Sequence, residues 1–448
     1  MSAARADTGT ADADPAGLKE WVAQELAAAR HRSLAILEPL SDDDQRRQHS
    51  VLMSPLAWDL AHVGNYEELW LLRAATAHPG VRPSVDTMYD AFRHPRANRP
   101  ALPLLSPAEA RAYVAEVRAE VLGALDRVEL DGAPPLLAGA FVYGMVVQHE
   151  HQHDETMLAT RQLMEERAAP LTGAAPAPPG GPVGGEEVLV DGGTFPMGTD
   201  VDPWAYDNER PAHRVTLDPF LIDTAPVTCA GYAAFVEAGG YHDPRLWSAE
   251  GWAWRQQAGL EHPQFWRREG DGGWSLLRFG RRLDLRPDEP VQHVCWYEAE
   301  ACARWMGKRL PTEAEWEMAA CWDPAAGKRR HPWGDGRPGA EHANLGGRGD
   351  GPAPVGAYPA GVSPWGCHQM LGDVWEWTAS DFTAYPGFRS FPYREYSEVF
   401  FGADYKVLRG GSWATAPLAV RGTFRNWDHP IRRQIFAGFR CARDAGRR

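Results

Sequence analysis

In the first part of the chain, apolar residues recur at the three- and four-residue intervals of an amphipathic helix, in four separate stretches. Leu18, Trp21, Val22, Leu26, Leu34 and Leu37 mark the first, over residues 16–37. The second opens at Ser54-Pro55, which reads as a capping serine followed by proline at the first helical position. Its spacing sets Trp58, His62, Tyr66 and Leu69 on adjoining steps of one face. A third begins at Ser106-Pro107-Ala108-Glu109, where a glutamate three residues after the serine makes a capping box. Phe141, Met145 and Val146 lead into the fourth, and Met157, Leu158 and Leu163 continue it until it fades near Arg167. Between the second and third, Tyr89 to Pro100 reads as a loop carrying Arg93, Arg96 and Arg99.

The pattern then changes. Residues 168–186 are Ala, Pro and Gly with few apolar anchors, the texture of an extended linker. Beyond them come short β-prone runs, Glu187–Val190 and His213–Leu217, separated by Gly, Pro and Asp turns. Helices are predicted near Cys229–Ala238 and Glu298–Met306, and another after Thr312, where Glu315 completes a capping box. No internal repeat of fixed period is present. The expected organisation is a four-helix bundle over 16–167, a linker over 168–186 and a loop-rich α+β domain over 187–448. Residues 1–15, rich in Ala, Asp and Thr, read as a disordered N-terminus without the apolar core of a secretory signal.

Composition agrees with two domains, since 448 residues exceed one ordinary core. Forty-six basic against sixty acidic residues leave a net charge of −14, which argues against nucleic acid or an anionic membrane as partner. No apolar run approaches the roughly 20 residues of a membrane span. Cys229, Cys295, Cys302, Cys321, Cys367 and Cys441 form no CxxC pair and read as reduced thiols of a cytoplasmic protein. Most of the 19 tryptophans fall after residue 200, so the second domain is expected to be aromatic-rich.

Candidate chemistry gathers in Gln148-His149-Glu150-His151-Gln152-His153-Asp154-Glu155-Thr156. On a helix, His149 and His153 stand one above the other, with Cβ atoms roughly 5–6 Å apart, and can share a metal ion. His151 points elsewhere. The letters also spell His-Glu-x-x-His, the zinc-protease pattern, but no Gly-x-x-His extension or downstream glutamate ligand follows. A solvated, His-rich helix face is the plain alternative. A third ligand has to come from another helix, and the inward-facing His62 is the best partner in the bundle.

The second half resembles the formylglycine-generating-enzyme (sulfatase-modifying factor) family, of C-type-lectin-like fold. The matching words are Gly193-Thr-Phe-Pro-Met-Gly198, Asp207-Asn-Glu-Arg-Pro211, Pro226-Val-Thr228 and Arg309-Leu-Pro-Thr-Glu-Ala-Glu-Trp-Glu317. They continue with Trp333-Gly-Asp335, Asn344-Leu345, Gly372-Asp-Val-Trp-Glu-Trp377, Arg409-Gly-Gly-Ser-Trp413 and Gly438-Phe-Arg440. The first half resembles DinB-type four-helix bundles, whose metal is held by three histidines. Both together, with Ser54-Pro-Leu-Ala-Trp-Asp-Leu-Ala-His62 and Phe424-Arg-Asn-Trp-Asp-His-Pro430, resemble the EgtB family of iron-dependent sulfoxide synthases in ergothioneine biosynthesis. One departure is informative. Formylglycine-generating enzymes need a copper-binding cysteine pair after Arg-Gly-Gly-Ser, and this chain reads Trp413-Ala414-Thr415 there. The resemblance therefore implies that sulfatase-modifying chemistry is absent.

It implies instead an O2-dependent joining of the thiol of γ-glutamylcysteine to the imidazole C2 of hercynine (Nα-trimethylhistidine), with oxidation of the sulfur. His62, His149 and His153 match the family's iron ligands. Three imidazoles on one face of Fe(II) leave positions for thiolate, imidazole and O2, whereas zinc has no redox chemistry. Gln152 and Asn426 match residues that hold hercynine. Trp58 and Trp427 are expected to face its trimethylammonium, since aromatic faces favour quaternary cations. Arg96 and Arg99 match a pair that grips the carboxylates of γ-glutamylcysteine, a task suited to guanidinium forks. Asp428 takes the amino group of the same substrate. Tyr393 and Tyr396 match a tyrosine pair near the iron, with Tyr393 as proton donor. Three rival readings are a synthase using free cysteine, a DinB-type metal-dependent thiol transferase or hydrolase, and a carbohydrate-binding second domain.

Overall fold

The computed structural model describes residues 15–130, 134–171, 173–183, 186–270 and 272–446, and the chain divides into two compact units, Met1–Pro170 and Leu171–Arg448. The disordered stretch expected over residues 1–15 lies, up to residue 14, outside the described residues. In the first unit the long helices are α1 (Pro15–Leu37), α3 (Leu56–Glu67), α5 (Pro107–Leu125) and α6 (Phe141–Gln162), with short helices α2 (Asp42–Arg46) and α4 (Asp86–Tyr89) between them. Helix α1 packs on α6, and α3 packs on both α5 and α6. The Ser106–Glu109 capping box is present. At α3 the expected cap differs. Pro55 is the N-cap residue and no side chain caps the helix, because the Ser54 hydroxyl accepts a hydrogen bond from Arg99 Nη1 at 2.5 Å. A π-helical segment, Glu68–Ala74, prolongs α3, and Arg96–Ala101 of the arginine loop forms a 3-10 turn.

The second unit alternates short strands with helices: β1 (Glu187–Val190), β2 (Gly193–Met197), β3 (His213–Leu217), β4 (Phe220–Asp223), α7 (Cys229–Glu237), α8 (Ala249–Ala258), β5 (Trp266–Arg268), β6 (Trp274–Arg278) and β7 (Arg281–Asp284). Then follow α9 (Trp296–Trp305), α10 (Glu313–Cys321), β8 (Trp322–Asp323), β9 (Gly327–Lys328), β10 (Trp375–Phe382), β11 (Gly402–Arg409), β12 (Asn426–Asp428), β13 (Ala437–Gly438) and β14 (Ala442–Asp444). Its largest sheet runs β12-β11-β10-β13, and β12 pairs Asn426 with Leu408, Trp427 with Val407 and Asp428 with Lys406. The Arg-Gly-Gly-Ser word that ends β11 has a steric reason. Gly410 sits at φ +95°, and a Cβ there would meet the Met370 carbonyl oxygen at 2.6 Å. The Thr312–Glu315 capping box starts α10. The Pro/Gly-rich stretch does not hang free. Ala175 N–H donates to the Arg348 carbonyl at 2.6 Å and Gly181 N–H to that of Val355 at 3.3 Å, so it lies along the second unit. No helix of the described residues is long and apolar enough to cross a membrane.

What positions the bundle helices is buried charge. Along α1 the buried stripe runs Leu18, Val22, Leu26, Ala29, then Arg30 and Ser33, then Ile36 and Leu37. Arg30 donates to Glu150 on α6 and to Glu67 on α3, both at 2.7 Å. Arg118 on α5 donates to the same Glu67 at 2.5 Å and the same Glu150 at 3.2 Å. Ser33 Oγ lies 3.0 Å from Glu150 and 2.6 Å from Asp154. Glu67, Glu150 and Asp154 are fully buried, so all four long helices meet in one desolvated ion cluster. Burial works against the charge of Arg30, but Glu150 and Glu67 outweigh it and raise its pKa. Removing one partner from such a cluster strands the opposite charges and typically costs about 3–5 kcal/mol. Glu150→Ala should therefore lower unfolding stability by about that amount in urea titration. Asp43→Ala, which breaks an exposed ion pair with Arg46, should change it by less than about 1 kcal/mol. Equal stabilities of the two variants would show that the cluster contributes nothing.

Candidate metal centre

Helix α3 contributes His62, and α6 contributes His149 and His153 from successive turns. The i,i+4 spacing brings the two α6 imidazoles together, tilted, with ring centroids 4.6 Å apart, and the His62 ring lies 5.1 Å from His149 and 4.7 Å from His153. One ligand nitrogen from each ring falls within 4.8 Å of the other two. His151 takes no part. It turns to the other side of α6, where its Nδ1 lies 3.1 Å from Asp154 Oδ2.

Each imidazole is held differently. His62 Nδ1 faces the Tyr89 carbonyl at 2.7 Å, which keeps the proton on Nδ1 and leaves Nε2 to ligate. His153 Nδ1 faces Asp59 Oδ1 at 3.2 Å, a carboxylate–histidine pair with the same effect on the tautomer. His149 Nδ1 is buried with no hydrogen-bond partner among the described residues. Its plane is set by Tyr66, whose ring lies parallel at 3.8 Å between centroids. Trp58 stacks on His62 at 4.6 Å, and the Arg99 guanidinium covers the Trp58 ring at 3.6 Å. Burial, followed by the neighbouring His153, drives the pKa of both His62 and His149 well below the ordinary histidine range. They are neutral near pH 7, the form that binds a metal. Three imidazole nitrogen donors, two with fixed outer partners, fit a divalent transition metal, and imidazole suits iron, zinc, copper or nickel.

The other expected residues divide between the two units. Gln152, half-buried, lies within the His149–His153 turn of α6, immediately before His153. Arg96 is exposed and donates to the Leu52 carbonyl at 2.9 Å. Arg99 is buried, and burial lowers its pKa to about 10. Its Nε donates to the His94 carbonyl, Nη1 to Ser54 and Nη2 to the Ala91 carbonyl. Trp58 has no exposed surface, so the cation on its face is Arg99. In the second unit Tyr393 and Tyr396 meet edge to face at 6.2 Å, and Tyr396 meets Trp427 at 5.9 Å. Trp427 stacks on Phe382 at 4.1 Å on strand β12, which also carries Asn426 and Asp428. Sequence reasoning missed Asp59. Three residues before His62 on one helix, it carried a signal in its spacing, but a carboxylate there reads equally as a solvated charge.

Residues 25–157 match the DinB superfamily, and residues 176–445 match the sulfatase-modifying factor enzyme 1-like domain. The hercynine oxygenase of Mycolicibacterium thermoresistibile is 55% identical over 437 residues, 95% of this chain and 95% of that protein. That of Mycobacterium tuberculosis is 52% identical over 432 residues, 95% of this chain and 99% of its own length. The chain belongs to the hercynine oxygenase family. It is an oxygenase, built as a DinB-like helical bundle followed by a domain of formylglycine-generating-enzyme, C-type-lectin-like fold. The formylglycine-generating enzyme of Streptomyces coelicolor shares 35% identity over 318 residues, covering 62% of this chain and 95% of that enzyme.

The geometry predicts which histidines bind a metal and which do not. His62→Ala, His149→Ala and His153→Ala should each lose metal in equilibrium binding of Co(II) or Fe(II), whereas His151→Ala should retain it. Asp59→Asn should weaken binding about 10- to 100-fold, the usual effect of removing an outer partner of a metal-bound histidine. Loss of metal in His151→Ala with retention in His62→Ala would refute this ligand set.

Proposed function

We propose that the chain is a non-haem iron(II), O2-dependent sulfoxide synthase of ergothioneine biosynthesis, joining the thiol of γ-glutamylcysteine to the imidazole C2 of hercynine. The observation that carries this reading is the cluster of His62, His149 and His153 in an oxygenase whose relatives are named for hercynine. The atoms balance without an external reductant. The S–H and C2–H bonds break, a carbon–sulfur bond forms, one oxygen atom of O2 goes to sulfur and the other leaves as water. Iron, bound by the three imidazoles, would supply the one-electron steps that O2 requires.

The chain's own residues bind and orient. Gln152 and Asn426 hold hercynine, and Trp427, half-buried, offers an aromatic face to its trimethylammonium. Trp58, with no exposed surface, supports His62 from behind rather than meeting that cation. Asp428 takes the amino group of γ-glutamylcysteine, and Arg96 and Arg99 take its carboxylates. Tyr393 delivers a proton from its phenolic oxygen as O2 is reduced, with Tyr396 beside it. The net charge of −14 accords with two small substrates, a cytoplasmic setting and neither nucleic acid nor membrane as partner. One observation favours free cysteine as the thiol instead. Arg99 already directs three of its five N–H donors to protein oxygens.

Metal analysis of protein purified without oxygen, paired with O2 uptake on adding both substrates, tests the reading. Iron and a one-to-one uptake of O2 per sulfoxide are expected. Activity with zinc and no O2 demand would replace it with the transferase or hydrolase. For the thiol, replacing Arg96 and Arg99 by Leu should raise KM for γ-glutamylcysteine about tenfold to hundredfold, the loss of a charge-assisted contact. An equal rise for hercynine would mean a misfolded loop. Tyr393→Phe keeps the ring and removes the O–H. It should lower sulfoxide output and raise the sulfinic acid of γ-glutamylcysteine, which needs one thiol and one O2. An unchanged product ratio by mass spectrometry at matched iron content would remove Tyr393 from the mechanism.

A further inference from the structure

The segment carrying Tyr393 and Tyr396 has little regular structure of its own. Two 3-10 turns, Arg394–Tyr396 and Glu398–Phe400, are all it contains between β10 and β11. A phenol that must present its O–H at one point needs a fixed ring, and a loop without ladder hydrogen bonds cannot fix it alone. In this chain the fixing contacts come from three consecutive residues far away in sequence.

Tyr206, only 1% exposed, lays its ring on that of Tyr396 with centroids 4.1 Å apart and planes 21° apart. Asp207 Oδ2 accepts the Phe391 N–H at 3.1 Å, and Asp207 Oδ1 accepts the Ser397 hydroxyl. Asn208 Nδ2 donates to the same Ser397 oxygen at 3.1 Å, and Ser397 is fully buried. The two tyrosines thus lie between tether points at residues 391 and 397, with the ring of Tyr396 clamped on a third contact.

The turn that provides these contacts is itself immobilised. Tyr206 N–H donates to Glu209 Oε1 at 2.9 Å, and Glu209 receives a two-pronged contact from Arg421 and the Thr423 hydroxyl at 2.7 Å. Arg425 donates to the Asn208 carbonyl at 2.9 Å and, through Nη2, to that of Thr383 at 3.0 Å. Arg425 is held in turn by both oxygens of Glu313, at 3.0 and 2.9 Å. Glu209, Arg421 and Arg425 are all buried, so these are desolvated, charge-assisted contacts that resist displacement.

We infer that Tyr206, Asp207 and Asn208 are positioning residues, a rigid mount that fixes the ring of Tyr396 and the backbone on either side of Tyr393. The inference rests on the reading that Tyr393 is the proton donor. A loosened mount leaves the phenol present but misplaced, so its consequence should resemble removal of the phenol.

Four variants of the full-length, iron-loaded enzyme test it: Asp207→Asn, Ser397→Ala, Tyr206→Phe and Tyr206→Leu. Amide hydrogen exchange over residues 391–397 should accelerate at least tenfold in Asp207→Asn and Ser397→Ala. In both, products should shift several-fold from sulfoxide towards sulfinic acid, in the direction of Tyr393→Phe, with iron content unchanged. Tyr206→Phe keeps the ring contact but removes a hydrogen bond with the Tyr396 side chain, so it should shift the products less than Tyr206→Leu, which loses both. Unchanged exchange in Asp207→Asn and Ser397→Ala would overturn the inference. Faster exchange with an unmoved product ratio, where Tyr393→Phe does move it, would also overturn it by reducing the mount to a folding element. An unmoved ratio in Tyr393→Phe itself would instead overturn the proton-donor reading, and the inference with it.

Discussion

Helix α6 buries polar groups on two sides at once, and the bundle is arranged to make that possible. His149 and His153 face α3, while Glu150 and Asp154, one position on in each case, face α1 and α5 through Arg30, Ser33 and Arg118. A helix with so little apolar surface at its centre gains little from hydrophobic burial there. Its depth and rotation are set instead by the carboxylates, which must meet their arginines or remain desolvated and unpaired. Because the imidazoles share that backbone, fixing Glu150 and Asp154 also fixes the direction in which His149 and His153 point.

Period and spacing carried the sequence reading as far as apolar faces and caps extend. The four long helices, the i,i+4 histidines and the Ser106 and Thr312 boxes were legible because each is written within a few consecutive residues. The missing parts depend on partners distant in sequence. Ser54 has the composition of a cap, yet its hydroxyl is claimed by Arg99, forty-five residues on. Leu34 fits the α1 stripe, but Arg30 and Ser33 take the buried positions because charges wait for them on other helices. Helix α8 went unseen because only Gly251 of its ten residues is buried, which leaves no stripe to read. The composition of residues 168–186 reads as an extended linker, but it does not tell where its glycines come to lie: Gly181 packs against the Gly356 backbone.

The second unit follows the same rule with strands in place of helices. Its ladders are short, and its interior holds paired charges: Arg409 with Glu317, Arg421 with Glu209, Arg425 with Glu313, and Arg440 with Glu376. Each pair joins segments dozens to hundreds of residues apart. Guanidinium forks suit this work because they can satisfy a carboxylate and a loop carbonyl together, as Arg425 does with Glu313 and Asn208. Loops held in this way have defined shape without regular structure, which allows a domain rich in turns to carry chemical groups at fixed positions.

The three imidazoles show why such different supports serve one centre. A carbonyl partner, as at His62, orients the ring without adding a full charge. A carboxylate, as at His153, also strengthens the ligand as a donor by stabilising the proton on the far nitrogen. An aromatic face, as at His149, restrains the ring plane and adds no hydrogen bond. Ligands so supported are unequal electronically although identical in type. Were all three paired with carboxylates, the negative charge around the centre would grow, and a cation there would be held more tightly and oxidised more readily. With one carboxylate behind three imidazoles, a metal held there would be retained without being made maximally oxidisable, and the residue that sets this balance is Asp59, against the far nitrogen of His153.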